Sequence, residues 1–485
     1  MRRVVLAPLL LAACTVGPDY HPRSADDLGV PAAYSVPASA TAEDLTRWWD
    51  RFDDPVLGRL VEQARVANLD AVQAVARLRQ ARESLRQSRS TLLPTVSGSA
   101  GYQRNENLRG GGRSFSLPDG TVVDTGGGGT NSFSVGASAS WQIGIFGELR
   151  RTVEATGAQY QATGLDYAAV LISVEQEVAR NYVLARLYQA QLANARASLA
   201  LQDDNLEIAG FRVQAGLVSS LDVEQARQQR AQTAATIPVE EQQYNAAVSR
   251  LGVLTAQAPG AFKAQLATPA PIPTGPRAIG VGIPADVLRR RPDVRTAERT
   301  LAAATAQIGV AKASLYPALA ITGNLNTNAT LLTGIGDAIT GGLFAGLTQA
   351  IFNGGRLRSE VRASEAAADG ALAAYRASVL SALEDVENAV VALASAQERE
   401  RQFAIALNAA NNGALLTRSQ YRSGLTDFTT LQQQEAALLS ARNGETQARA
   451  DAATATVALF AALGGGWDPT VVPEAPPPSP QTGSR

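Results

Sequence analysis

Two periodicities run along this chain, one of two residues and one of three to four. Val96, Gly98, Ala100 and Tyr102 alternate with Ser97, Ser99, Gly101 and Gln103; Phe133, Val135, Ala137, Ala139, Trp141 and Ile143 alternate with Ser132, Ser134, Gly136, Ser138, Ser140 and Gln142. A period of two predicts strands with one apolar and one hydroxyl-rich face. Strands with lipid on one side and water on the other read this way, and so does a half-buried sheet in a soluble protein. A third strand is expected near Leu319, Ile321 and Leu325, and a fourth, less regular, near Leu343 to Ile351. The helical stretches are much longer. No proline interrupts Arg150 to Gly210, and roughly 60 residues at ~1.5 Å each make ~90 Å of helix. Arg356 to Arg422 runs similarly. Leu192, Leu199, Leu206 and Val213 step by seven; Leu372, Tyr375, Val379, Leu383, Val386, Val390 and Leu393 step by three or four. That is coiled-coil spacing.

The same plan occurs twice. Asp70, Ala74, Leu78, Ala81 and Pro94 recur as Asp293, Ala297, Leu301, Ala304 and Pro317, all 223 residues later. Leu149-Arg150, Val178 and Gly216-Leu217 recur as Leu357-Arg358, Val386 and Gly424-Leu425, 208 residues later. A constant register within each block marks an internal repeat. The drop in offset gives the first copy 15 extra residues. They are expected as a flexible loop in the Gly-rich stretch Arg109 to Thr130. Helix, two strands and a long helical hairpin therefore fill 66–258 and again 288–465. Prolines at 259, 269, 271, 273, 276 and 284 mark 259–287 as an extended linker. Residues 14–65 form a leading arm and segment, and 466–485 a Pro-rich tail. The fold class is mainly α, with duplicated long hairpins and four strands per chain. Four strands cannot close a barrel, since single-chain bacterial barrels start at eight and an open edge in lipid leaves backbone groups unpaired. Strands that span a membrane would require oligomerisation, and three copies would close a hollow wall of twelve.

Composition narrows the chemistry. With 43 basic and 44 acidic residues, no positive excess points to nucleic acid. Cys14 is the only cysteine, His21 the only histidine, and Met1 the only methionine. An internal disulfide is excluded, and a His/Cys metal site or Ser-His-Asp triad has too few residues to draw on. No acid/base or nucleophile constellation emerges, so neither an enzyme nor a cofactor is expected. The N-terminus carries the first specific signal. Arg2 and Arg3 precede an apolar run from Val4 to Leu11, and Leu11-Ala12-Ala13-Cys14 closes it. The run is too short for a membrane span. The small residues leave room for a peptidase, and the thiol can accept a covalent lipid. Residues 1–13 are read as a lipoprotein signal peptide and Cys14 as the lipidation site; the other reading of Cys14 is a structural thiol behind a signal peptide. Thr15, where an Asp would favour the inner membrane, favours the outer one by analogy with lipoprotein sorting. Nowhere are 18 consecutive residues apolar, so any crossing by the mature chain has to be made of strands.

Several motifs together resemble the TolC/OprM-type outer membrane factors, the NodT-like efflux-system lipoproteins. They are Cys14-Thr15-Val16-Gly17-Pro18-Asp19-Tyr20, Trp48-Trp49 followed by Phe52-Asp53-Asp54-Pro55, and Arg289-Arg290-Arg291-Pro292-Asp293-Val294. Ser90 to Pro94, Ala313 to Pro317 and the turn from Ala215 to Val223 complete the set. The resemblance covers essentially the whole mature chain. It implies a homotrimer with a 12-stranded β-barrel in the outer membrane and an α-helical barrel across the periplasm. An equatorial belt would include the Trp48 region, the linker and the C-terminal segment. The implied partners are outer-membrane lipid, a periplasmic adaptor and an inner-membrane pump, often of the resistance-nodulation-division class. The chain itself would be a passive duct.

On that resemblance, Ala215-Gly216-Leu217 and Ser423-Gly424-Leu425 are the adaptor-docking tips. The periplasmic gate would involve Asp222, Gln225, Thr430 and Gln433, with Arg212, Tyr421 and Asp427 as latches between hairpins. Family members often carry Asp six or nine places after the second turn glycine, where this chain has Thr430 and Gln433. The acidic iris is then either weaker or carried by Asp222 and Asp427. After the second strand, Trp141-Gln142-Ile143-Gly144-Ile145-Phe146-Gly147 also lacks the family's usual charges at 142 and 144. The competing readings are a non-channel structural periplasmic lipoprotein with long hairpins, and a periplasmic hydrolase.

Overall fold

The computed structural model describes residues 15–39, 41, 43–106, 113–125, 129–471 and 473–474. Cys14, the signal peptide and the end of the tail lie outside the described residues. In the first copy α1 (Pro55–Ala67) and α2 (Leu69–Ser90) lead into β1 (Thr95–Asn105), β2 (Arg113–Ser116), β3 (Val122–Thr125) and β4 (Thr130–Ile143), then α3 (Glu148–Gln214) and α4 (Ser220–Leu254). The linker contributes α5 (Lys263–Leu266) and α6 (Pro284–Arg290). The second copy follows with α7 (Pro292–Ala313), β5 (Ala318–Ala329), β6 (Ile339–Thr348), α8 (Arg356–Arg422) and α9 (Phe428–Ala462). The duplication holds to the residue: α2 and α7 have 22 residues each, α3 and α8 67, and α4 and α9 35.

Of the flexible loop expected at Arg109 to Thr130, 109–112 and 126–128 lie outside the described residues, and the remainder holds regular structure. Within it, β2 and β3 pair as a hairpin, Arg113 opposite Thr125 and Ser116 opposite Val122. The cause is turn chemistry: Pro118-Asp119-Gly120 closes the hairpin, with Gly120 at φ 84 and its N–H donating to the Leu117 carbonyl at 3.0 Å. The fourth strand also stops at Thr348 rather than Ile351.

The main sheet runs β1-β4-β5-β6, antiparallel throughout. The described chain divides into two compact units that cut across the copies. One comprises Met1–His21, Ala81–Tyr160 and Thr300–Ala371, and holds the sheet. The other comprises Pro22–Gln80, Gln161–Arg299 and Leu372–Arg485. Its core gathers Trp48, Trp49, Phe52 and Phe460, all buried. Trp48 stacks on Phe460 at 5.4 Å and meets Trp49 edge-on at 5.9 Å. Burying each such side chain contributes about 1.5–3 kcal/mol. Asp54 starts α1 by accepting the Val56 and Leu57 N–H groups at 2.8 and 3.1 Å, with Pro55 at the first helical position. Beside this core, fully buried Glu175 pairs with Arg65, whose Nη1 also donates to the Gly466 carbonyl at 2.6 Å. The Trp48 indole N–H donates to Glu175 at 3.3 Å.

Candidate functional site

The sheet has two faces of opposite chemistry. Register aligns Val96, Ala139, Gly323 and Leu343 in one row and Ala100, Val135, Thr327 and Ile339 in another. On the opposite face the rows are Ser97, Ser138, Asn324 and Gly342, then Ser99, Gly136, Asn326 and Thr340. Among the described residues the apolar face has no cover; Leu343 is 83% exposed. Aromatic rings border it. Tyr102 and Phe133 lie 4.9 Å apart toward one end. Toward the other, the Trp141 indole N–H donates to the Leu92 carbonyl at 3.0 Å, and Phe146 stacks on Tyr316 at 4.7 Å. From Phe133 to Trp141 the strand covers about 26 Å at ~3.3 Å per residue, close to the height of an apolar band between aromatic girdles. Among the described residues β1 and β6 occupy the two edges of the sheet, each paired on one side only.

The residues after Cys14 are anchored beside this border. The Val16 N–H donates to the Phe146 carbonyl at 3.1 Å, and Gly17 lies against the Gly309 backbone, with no room for a Cβ. Arg151 holds Asp19 at 2.6 Å.

The two hairpin turns are built alike. Gly216 and Gly424 both sit at φ 72. The N–H of Gly216 donates to the Val213 carbonyl and that of Leu217 to Arg212; Gly424 donates to Tyr421 and Leu425 to Gln420, all at 2.8–3.0 Å. This is the Schellman motif, in which glycine takes the left-handed position without a Cβ penalty. Ala215, Leu217, Ser423 and Leu425 are exposed around these glycines. The following helices are capped by Ser219, which accepts the Leu221 N–H at 3.2 Å, and Asp427, which accepts the Thr430 N–H at 2.7 Å.

Of the gate residues, Arg212 and Tyr421 come together. The guanidinium lies 4.6 Å from the Tyr421 ring centre and donates to the Tyr421 carbonyl at 3.4 Å, linking α3 of the first copy to α8 of the second. Asp427 is engaged by its own helix: the backbone N–H of Thr430, with the Thr430 side chain, holds its carboxyl below the usual range. Asp222 lies in the first turn of α4 and Gln433 is exposed on α9. The Gln225 amide oxygen and Tyr421 hydroxyl are buried without a hydrogen-bond partner among the described residues. Sequence reasoning missed the strongest polar contact nearby. Glu435, 8% exposed, accepts from Arg418 Nε at 3.0 Å and from Asn205 Nδ2 at 2.7 Å, tying α9 to both α8 and α3. A legible signal existed: Phe428, Leu431, Glu435 and Leu438 step by three and four, which puts a charge on an apolar seam.

A two-faced sheet with open edges, bordered by aromatics and joined to duplicated helical hairpins, defines an outer-membrane export duct of the TolC type. The chain matches the Outer membrane efflux protein family over residues 60–257 and 283–465 and belongs to it. It is 31% identical over 469 residues to the pyoverdine export outer membrane protein OpmQ of Pseudomonas putida, covering 96% of this chain and 98% of that one. It is 29% identical over 481 residues to nodulation protein T of Rhizobium leguminosarum bv. trifolii, covering 95% and 96%. The structure of the outer-membrane channel OprN is similar with a TM-score of 0.82 and 32% identity, over 94% of this chain and 100% of that one. The protein is an outer-membrane channel component of an efflux system, located in the outer membrane and extending into the periplasm.

Proposed function

We propose that three copies close their sheets edge to edge into a 12-stranded barrel and passively conduct cargo delivered by an inner-membrane pump of the resistance-nodulation-division class through a periplasmic adaptor. The duct performs no covalent chemistry. The observation that carries this reading is the sheet: β1 and β6 need partners, and its apolar face needs lipid. A structural periplasmic lipoprotein would leave that face in water. Cys14 carries the lipid; the seating of Thr15 to Asp19 beside Phe146 supports an anchor next to the aromatic border. The glycine turns meet the adaptor, and Arg212 with Tyr421 latches neighbouring hairpins in the closed state. A cation–π contact is worth about 0.5–2 kcal/mol, weak enough for an adaptor that binds the open state better to release it.

Detergent extraction followed by unheated electrophoresis is expected to give heat-modifiable trimers. A monomer that needs no detergent once Cys14 is replaced would overturn the reading. Replacing Arg212 and Tyr421 together should raise single-channel conductance in a planar bilayer; a trimeric double variant that conducts like the parent removes the latch. Gly216→Asp and Gly424→Asp should abolish cross-linking to the adaptor, and folded variants that still cross-link remove the docking role.

A further inference from the structure

The hydroxyl and amide face of the sheet carries no charged side chain on any of the four long strands, and one large apolar residue stands among its small and polar ones. Phe344 stands on it, opposite Thr322. Its nearest neighbours on that face of β6 are Gly342 and Gly346, and Ala320, Thr322 and Asn324 face these three residues from β5. The ring leans over Gly346, where a Cβ would stand 2.6 Å from it. Phe344 is nonetheless 65% exposed. The face where a large apolar side chain would meet lipid is the other one, occupied along β6 by Ile339, Leu343 and Leu347. A phenyl ring among glycines, hydroxyls and amides gains little burial within the protomer, and its flanking glycines leave it free to project.

We propose that Phe344 is a specificity-determining residue of the duct. In the barrel its three copies form an apolar collar in an otherwise polar, uncharged lumen, and the collar contacts the apolar or aromatic parts of organic solutes as they leave. The inference rests on the trimeric-duct reading above. Neutral walls attract neither sign of charge, so within the barrel the aromatic ring is the feature that discriminates. It favours aromatic and organic-cation surfaces through apolar contact and ring-face electrostatics. The contact is weak and transient, which suits a conduit that must release its cargo.

The test uses the full chain as trimers in nanodiscs, with saturation-transfer NMR on benzyltriethylammonium and on tetraethylammonium, which has equal charge and no ring. Transfer to the benzyl protons is expected in the parent and should fall at least ~3-fold in Phe344→Asn, and transfer to tetraethylammonium, which has only the cationic contact with the ring, should fall less. Equal transfer to the benzyl compound in parent and variant would overturn the collar. A second arm places the side chains in a chain whose only other cysteine is Cys14. Phe344→Cys should react with a membrane-impermeant thiol reagent, and Leu343→Cys should not. The reverse pattern would overturn the assignment of faces. Failure of the parent itself to form trimers would instead remove the duct reading, and the collar with it.

Discussion

The two hairpins share one backbone and hold it with different side chains. α3 and α8 match in length, and the turns that end them match hydrogen bond for hydrogen bond. Away from the turns the copies part. α3 buries Glu175 and Arg186, whose counterparts 208 residues on are Leu383 and Ala394, and it buries Gln189, which recurs as the less buried Gln397. The reason is what covers α3. The Tyr182 hydroxyl donates to Asp54 at 2.7 Å, and Gln189 Nε2 donates to the Leu266 carbonyl at 2.9 Å. The segments packed on this helix set its polar groups: Arg65 and Trp48 bring donors to Glu175, and the linker carbonyls of Leu266 and Thr268 accept from Gln189 and Arg186. Near the turns the asymmetry reverses. The second copy buries Glu435 against Arg418, while the first has Arg227 and Gly210 at those places, with Arg227 exposed. Duplication kept the residues that set backbone geometry, and each copy's side chains followed its own neighbours.

This comparison can be broken at four points. Removing Glu435 should have the largest effect. Glu435→Ala leaves Arg418 and Asn205 without their acceptor, and losing one partner of a buried pair costs about 3–5 kcal/mol. Arg227→Ala, at the matching place in the first copy, should change stability by no more than ~0.5 kcal/mol. Thermal denaturation of the detergent-solubilised trimer measures both, and equal losses would end the claimed asymmetry.

Glu175 comes next. Burial pushes its carboxyl up to about 8, against the pull of Arg65 and the Trp48 indole, with Glu62 adding to the rise. The folded chain thus keeps a proton that the unfolded chain releases above about 4.5. Its contribution to stability is level below that pH and is lost as pH rises toward 8, by on the order of a few kcal/mol. The parent should melt lower at pH 8 than at pH 5. Glu175→Gln should lose most of that difference, and Leu383→Gln, in the copy without the carboxylate, should leave it intact.

The turns test what the copies share. Gly216→Ala and Gly424→Ala each force a Cβ into the left-handed region, at about 1–2 kcal/mol. Hydrogen exchange at the two tips should report similar losses; a tip that tolerates alanine freely is not held by its Schellman turn. The smallest effect belongs to Tyr421→Phe. Its hydroxyl is buried without a partner among the described residues, so deleting it should be neutral or stabilise by up to ~1 kcal/mol. A clear loss in a urea titration would mean that the hydroxyl finds a partner in the assembled trimer.

Much of this architecture is legible in the residues alone. Period two marked three strands and their faces and placed the fourth only loosely, constant offsets of 223 and 208 marked the duplication, and the glycine-leucine pairs marked both turns. The strands and turns are local signals, because side-chain direction along a strand and the left-handed turn are properties of neighbouring residues, and the duplication shows when the chain is compared with itself. The β2–β3 hairpin was local too, in Pro118-Asp119-Gly120, although glycine-rich flanks masked it. The gate residues were reached through family resemblance, and Arg212 meets Tyr421 across 209 residues of chain. What only the tertiary structure decided is which polar side chains on the long helices are buried. Spacing puts Glu435 on an apolar seam but cannot name Arg418 and Asn205 as its partners, nor pair Glu175 with Arg65. Burial depends on what a distant segment lays over that face of the helix, and Gly466 reaches Glu175 from nearly 300 residues away.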